Sequence, residues 1–293
     1  MENKKIIYYY QTFIGLDDIF KNDIAVTHIY ISSVHFGKNN DNSPYIHLND
    51  YQPNDSKFDK LWKDTRYANS LGIKILLMMG GAGSAYTDLF SNFEIYYPLL
   101  KNTINKYNWI CGIDLDVEES VDLSNIKMLI NKLDQDFGNN FIITMAPVAF
   151  AMETDSEGLG GFKYKDLYNS KEGRRINWFN VQCYYDLSVD TYDKIIKNGY
   201  PEEKIIFGMT YENTLLNFKN VCQIVSNIAN KYENFAGVFQ WEYINSPPEP
   251  NNPSKWSIIM KNITKKTLEN KLINLKNNFF SIINKINCFK IIL

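Results

Sequence analysis

Only four cysteines and three histidines are spread over the 293 residues. Cys111, Cys183, Cys222 and Cys288 show no paired spacing and no metal motif. That excludes a disulfide framework and leaves free, mostly buried thiols in a reducing compartment as the expectation. His28, His35 and His47 lack the Glu/His companion spacing of a metal site, so neither a metal nor another cofactor is expected. No stretch has the length and apolarity of a membrane span. The N-terminal run MENKKIIYYYQTF is too short in apolar residues and too rich in tyrosine for a secretory signal. The expected address is therefore the cytoplasm, with unconventional export left open. The formal net charge is −2, so no global field recruits nucleic acid or an anionic membrane. No glycine-rich phosphate loop follows the first apolar run, which disfavours a dinucleotide-binding fold.

What is present is an ordinary globular balance, 45% apolar and 22% charged, with 20 Tyr and 18 Phe. Short β-branched or aromatic runs recur between longer helix-like segments. Strands are predicted at Ile6–Gln11, His28–Val34, Lys74–Met79, Ile113–Glu118, Phe141–Pro147, Asn180–Tyr185, Ile205–Met209 and Gly237–Trp241. Helices are predicted near Leu16–Lys21 and over Lys57–Ser70, Asn92–Lys106, Leu123–Phe137, Thr191–Asn198, Asn217–Tyr232 and Ser254–Asn262. Strand then helix, repeated about eight times, fits a single closed (β/α)8 TIM barrel over 1–262 better than an open doubly wound sheet. Gly37–Asp55, Gly158–Gly161 and Ser246–Pro253 read as loops at the barrel mouth.

From 263 to 293 the character changes. Leu268, Leu272, Leu275, Phe279, Ile282, Ile286, Phe289 and Leu293 follow a 4-3 spacing in a Lys-rich, acid-poor segment. The pattern predicts an amphipathic helical extension. It either packs on the barrel or serves self-association or membrane-surface contact.

The most informative run is Ile110-Cys-Gly-Ile-Asp-Leu-Asp-Val-Glu-Glu119. Asp114, Asp116 and Glu118 alternate with Ile113, Leu115 and Val117 at the period of a strand. The aliphatics must face the surrounding helices, so the acids must face the barrel interior. Crowded, desolvated carboxyls raise one another's pKa values, which packing alone gives no reason to accept. Such a set can keep one acid protonated near neutral pH. Glu118 is nearest the mouth, with Asp116 and then Asp114 deeper; Glu119 points away and reads as a surface or loop acid.

At these residues the sequence resembles glycoside hydrolase family 18, the chitinase and endo-β-N-acetylglucosaminidase family, and looks closest to a fungal and microbial chitinase-like branch. The family signature Asp-Gly-x-Asp-x-Asp-x-Glu is met as Cys111-Gly112-Ile113-Asp114-Leu115-Asp116-Val117-Glu118. Its Ser-x-Gly-Gly is met as Met78-Met79-Gly80-Gly81, with the Ser lost. Met145-Ala146-Pro147, Gln182-Cys183-Tyr184, Trp241 and the Tyr9-Tyr10 pair are similar in family order.

The resemblance implies retaining, substrate-assisted hydrolysis with Glu118 as general acid/base, Asp116 on the acetamido N–H and Asp114 setting Asp116 from below. It further implies Tyr184 on the acetamido carbonyl, Trp241 as the sugar floor, and Gln182, Gly81, Met145 and Tyr9 near the substrate. Tyr9 is a candidate to replace the donor lost at Met78, and Tyr185 stands where many members have Asp or Asn. The implied partner is an N-acetylglucosamine-containing polysaccharide or glycan. Three functions stay open: a chitinase, an endo-β-N-acetylglucosaminidase cutting the N-glycan chitobiose core, and a non-catalytic chitin-binding lectin.

Overall fold

The computed structural model describes residues 4–212, 217–249 and 251–265. Nine strands form its sheet: β1 Lys5–Tyr10, β2 His28–Lys38, β3 Pro44–Leu48, β4 Lys74–Gly81, β5 Ile110–Val117, β6 Ile142–Met145, β7 Trp178–Gln182, β8 Ile205–Thr210 and β9 Gly237–Trp241. Eight of them are mutually parallel in the order β1-β9-β8-β7-β6-β5-β4-β2, and β1 pairs with β2 to close the ring. This is the (β/α)8 barrel the repeating pattern predicts.

The helices follow the same pattern. They are α1 Asp17–Lys21, α2 Asp59–Ser70, α3 Ala85–Ser91, α4 Phe93–Lys106, α5 Leu123–Phe137, α6 Ala149–Glu153, α7 Tyr164–Tyr168, α8 Val189–Lys197, α9 Phe218–Lys231 and α10 Ser254–Thr264. In α5 the buried positions Ile126, Leu129, Ile130 and Leu133 recur at helical spacing. Gly138 ends that helix at φ 73°, a backbone region that favours glycine. Among the described residues no helix is long and apolar enough to cross a membrane.

Two buried clusters separate the two faces of the barrel wall. Ile113, Leu115 and Val117 belong to the large outer cluster between sheet and helices, together with Ile29, Ile31, Leu77, Phe179 and Val238. Ile7, Tyr9, Tyr30, Leu76, Met78, Trp178, Ile206 and Phe239 fill the interior. The acids of β5 share that interior, as the alternation requires. A β-bulge lies between Ile75 and Leu76 of β4, where Ile110 and Gly112 are the successive partners. Cys111 is thus the extra residue. It hydrogen-bonds through Sγ to the Ile75 carbonyl at 3.5 Å, far from the mouth, where the family signature carries an Asp.

One expectation needs correction. Gly37–Asp55 is not wholly loop: β2 runs on to Lys38 and pairs antiparallel with β3, Val34 opposite Leu48 and Phe36 opposite Ile46. Ile46 and Leu48 carry the alternating apolar side chains that bury this hairpin, inside a stretch whose Asn, Asp and Pro content masks it. The tail from 263 onward is described only to 265; Ile263 and Thr264 close α10, and the 268–293 stripe lies outside the described residues.

Candidate active site

Asp114 lies deepest and is fully buried. Tyr9 donates its hydroxyl to Asp114 Oδ2 at 2.7 Å, and Asn180 Nδ2 donates to Oδ1 at 3.0 Å. Thr144 Oγ1 makes a short bond to the same Oδ1. The Asn180 orientation is dictated by chemistry. Trp178 Nε1, a donor only, sits 3.2 Å from Asn180 Oδ1, so the amide nitrogen must face Asp114. Burial pushes the Asp114 carboxyl up to about 6 against the pull of these three donors.

Asp116, one layer higher and also buried, is held well above the usual carboxylate range by burial first and then by Glu118 and Asp114. Gln182 links it to the rim. The Gln182 Nε2 lies 2.8 Å from the Ala146 carbonyl, 3.1 Å from Asp116 Oδ1 and 3.2 Å from Glu118 Oε1. Ala146 O can only accept, so one amide proton is committed to it and the other is shared by the two carboxyls. Glu118, just beyond the last residue of β5, is half-buried and opens to the mouth.

Above these acids is a cavity of about 250 Å³ lined by Tyr9, Gln11, Met78, Gly81, Asp116, Glu118, Ala146, Gln182, Tyr184 and Trp241 among others. Its size is below the roughly 300–1,000 Å³ of sites for drug-sized ligands and suits a single ring. Trp241 leans over Tyr9 with ring centroids 5.5 Å apart. The Tyr184 phenol is pushed well above its ordinary pKa by burial and then by Asp116, so it stays a hydroxyl donor. The floor near Asp116 depends on two glycines. A Cβ on Gly80 would sit 2.1 Å from the Asp116 carbonyl, and Gly80 and Gly81 both hold positive φ, 97° and 79°.

A wider recess of about 790 Å³ adjoins the cavity across Gln11, Ser33 and Ala82 and carries His35, His47, Asn49, Tyr51, Lys57 and Phe58. His35 and His47 stack there with centroids 5.7 Å apart.

Eight of the nine sequence-selected residues converge here: Glu118, Asp116, Asp114, Tyr184, Trp241, Gln182, Gly81 and Tyr9. Met145 does not. Thr144 on β6 and Ala146 just after it point inward, so Met145 between them belongs to the outer cluster, opposite Leu115 and Phe179. Thr144 and Asn180 were not singled out, although both share the inward parity of their strands. Glu119 is also more than a surface acid. It accepts from Tyr86 N at 2.7 Å, Thr87 N at 3.1 Å and Thr87 Oγ1 at 2.5 Å, joining the end of β5 to the start of α3.

A closed parallel barrel with carboxyls climbing one strand to a ring-sized cavity at its mouth is the architecture of a glycosidase. The comparisons agree. A solved fungal endo-β-N-acetylglucosaminidase from glycosyl hydrolase family 18 superposes with a TM-score of 0.79 at 31% identity, over 89% of this chain and 98% of that one. A chitinase from Aspergillus fumigatus gives 0.76 at 27% identity, over 94% and 100%. A family 18 chitinase from Pseudoalteromonas aurantia, 18% identical with a TM-score of 0.69 over 88% and 99%, shares the fold. No protein-family profile and no curated protein sequence matches the chain. The chain belongs to glycoside hydrolase family 18.

Proposed function

We propose that the chain hydrolyses β-1,4-linked N-acetylglucosamine, in chitin or chito-oligosaccharides, by a retaining, substrate-assisted route. The observation that carries this is the graded column of acids. Asp114 and Asp116 are buried and Glu118 stands at the rim, with one Gln182 amide shared between the upper two. Asp116 and Glu118 project from one face of one strand, two residues and so about 6.6 Å apart along it. Both therefore approach a bound sugar from the same side, whereas a carboxylate nucleophile must stand opposite the leaving group. The substrate's own acetamide fills that role.

In this reading Glu118 gives its proton to the glycosidic oxygen as the C1–O bond breaks. The acetamido carbonyl oxygen bonds to C1 and forms an oxazolinium ion. Asp116 accepts the acetamido N–H and offsets the developing positive charge, while the Tyr184 hydroxyl donates to the carbonyl oxygen and holds it for attack. Trp241 lies under the ring. Water then attacks C1, Glu118 takes its proton, and the acetamide is restored with net retention.

A second reading is cleavage of the N-glycan chitobiose core. It is favoured by the likeness to the fungal endo-β-N-acetylglucosaminidase, and the open recess of about 790 Å³ beside the cavity leaves space for sugars beyond the ring at the acids. Mass spectrometry after incubation with chitohexaose, and separately with a high-mannose glycopeptide, separates the two. Shorter oligomers from the parent and none from Glu118→Gln are expected. A parent that trims only the glycopeptide moves the assignment to the second reading, and one that cleaves neither removes both.

A further inference from the structure

At two strand ends of this site the residue after the inward-facing one is a glutamate, and each glutamate does the same thing. Glu119 follows Glu118, and its carboxylate gathers the N–H groups of the second and third residues of α3, Tyr86 and Thr87, plus the Thr87 hydroxyl. Glu242 follows Trp241 and is buried. Its Oε2 accepts from Gln11 N at 2.8 Å and Thr12 N at 2.9 Å, and its Oε1 from the Thr12 hydroxyl at 2.6 Å. The turn it grips goes on to the next loop, because Asn49 Nδ2 donates to the Gln11 carbonyl at 3.1 Å and Asn49 Oδ1 accepts from Ser33 N at 3.3 Å.

We propose that Glu119 and Glu242 are positioning residues for the reaction, Glu119 fixing the strand end that carries Glu118 and Glu242 fixing the Gln11–Thr12 turn against the strand end that carries Trp241. The inference rests on the roles given above to Glu118 and Trp241. Bonds from N–H and O–H groups to an ionised carboxylate are the strong, directional kind. Each glutamate is one residue from a group that must meet the sugar, about 3.8 Å of backbone across the trans Glu118–Glu119 bond and about 2.9 Å across the cis Trp241–Glu242 bond. The hydrogen bond holding Glu118 itself is the shared Gln182 proton, so its placement depends on its backbone.

The two clamps differ in what they position. Glu118 acts in the chemical steps and not in holding the substrate, so loosening it should lower kcat. Trp241 and Gln11 line the cavity for bound substrate and transition state alike, so loosening them should raise KM. Misplacement by about 1 Å can cost on the order of 100-fold.

The test uses the full chain and whichever of chitohexaose or the glycopeptide the parent cleaves. In Glu119→Gln the shape is kept, but an amide NH2 must face a backbone N–H in either orientation. At Glu242 a Gln amide could still donate to the Thr12 hydroxyl, so Glu242→Met, which accepts none of the three bonds, is used there. Thr87→Val and Thr12→Val remove one hydroxyl from each clamp and serve as the milder pair should either glutamate variant fail to fold. Expected are a kcat loss of about 10-fold or more with KM within about 2-fold for the Glu119 pair, and a KM rise of similar size with kcat within about 2-fold for the Glu242 pair. Melting well above the assay temperature is required of each variant scored. Equal changes in kcat and KM at both clamps, tracking melting temperature, would mean a purely structural role and overturn the proposal. So would unchanged kinetics. If Glu118→Gln cleaves as fast as the parent, the role of Glu118 itself falls instead, a result the clamp variants cannot mimic.

Discussion

Tyr9→Phe tests the electrostatics at the base of the site without touching the sugar's principal contacts. Tyr9 donates to Asp114 Oδ2 at 2.7 Å, inside a fully buried layer. A hydrogen bond to an ionised group contributes about 1.5–3 kcal/mol, a neutral one about 0.5–1.5 kcal/mol. Burial holds the Asp114 carboxyl up at about 6 in the folded chain, against about 3.9 when unfolded. Because the folded pKa is the higher, the native state holds the proton longer and stability falls as pH rises from about 4 to about 6. Removing a donor to the carboxylate moves the folded pKa further up, so in the variant that fall continues beyond pH 6. The variant should therefore lose about 1 kcal/mol at pH 5, where Asp114 is protonated, and about 2 kcal/mol at pH 7.5, where the parent's is ionised. Urea unfolding of both proteins, followed by tryptophan fluorescence at the two pH values, measures the difference of differences. A loss that is equal at both pH values, or larger at pH 5, refutes the idea that Tyr9 stabilises the ionised form of Asp114.

The barrel was legible because its signal is repeated. Short β-branched or aromatic runs recur between the helical segments, and α5 Leu123–Phe137 is bounded as its hydrophobic spacing predicts. The acids were legible because Ile113, Leu115 and Val117 had only one direction to face. What escaped was local context without a pattern of its own. Met145 sits in a motif with Ala146 and Pro147, and the motif does not say which of its members faces in; the parity set by Thr144 does. Thr144 and Asn180 are ordinary strand residues until three chains converge on one carboxylate. The β3 strand hides among turn-forming residues, since Ile46 and Leu48 provide too short an alternation to stand out. The alternation predicts that Glu119 points outward, but its partners, Tyr86 and Thr87, lie some 30 residues away and no spacing rule connects them.

Two further substitutions bear on the site. Tyr184→Phe keeps the ring and removes the hydroxyl proposed to hold the acetamido oxygen. A bond of that kind corresponds to roughly a 10-fold to 100-fold loss of kcat, since about 1.4 kcal/mol is tenfold. Steady-state rates at saturating substrate measure it, and a loss below about 2-fold would mean that Tyr184 does not act in the rate-limiting step. Met78→Ser restores the residue the family motif carries, and is expected not to help. Met78 pairs in register with Asp114 and is buried in the interior cluster. Asp114 already receives Tyr9 on one oxygen and Thr144 and Asn180 on the other, so a fourth donor adds little. Shortening the side chain meanwhile leaves a cavity, which costs about 2–5 kcal/mol for truncations of this size. The variant should thus unfold at clearly lower urea concentration while kcat stays within about 3-fold of the parent, the bond count at Asp114 being nearly unchanged. A kcat that rose 10-fold instead would show that Asp114 lacks a donor in this chain, and that Tyr9 does not make good the missing serine.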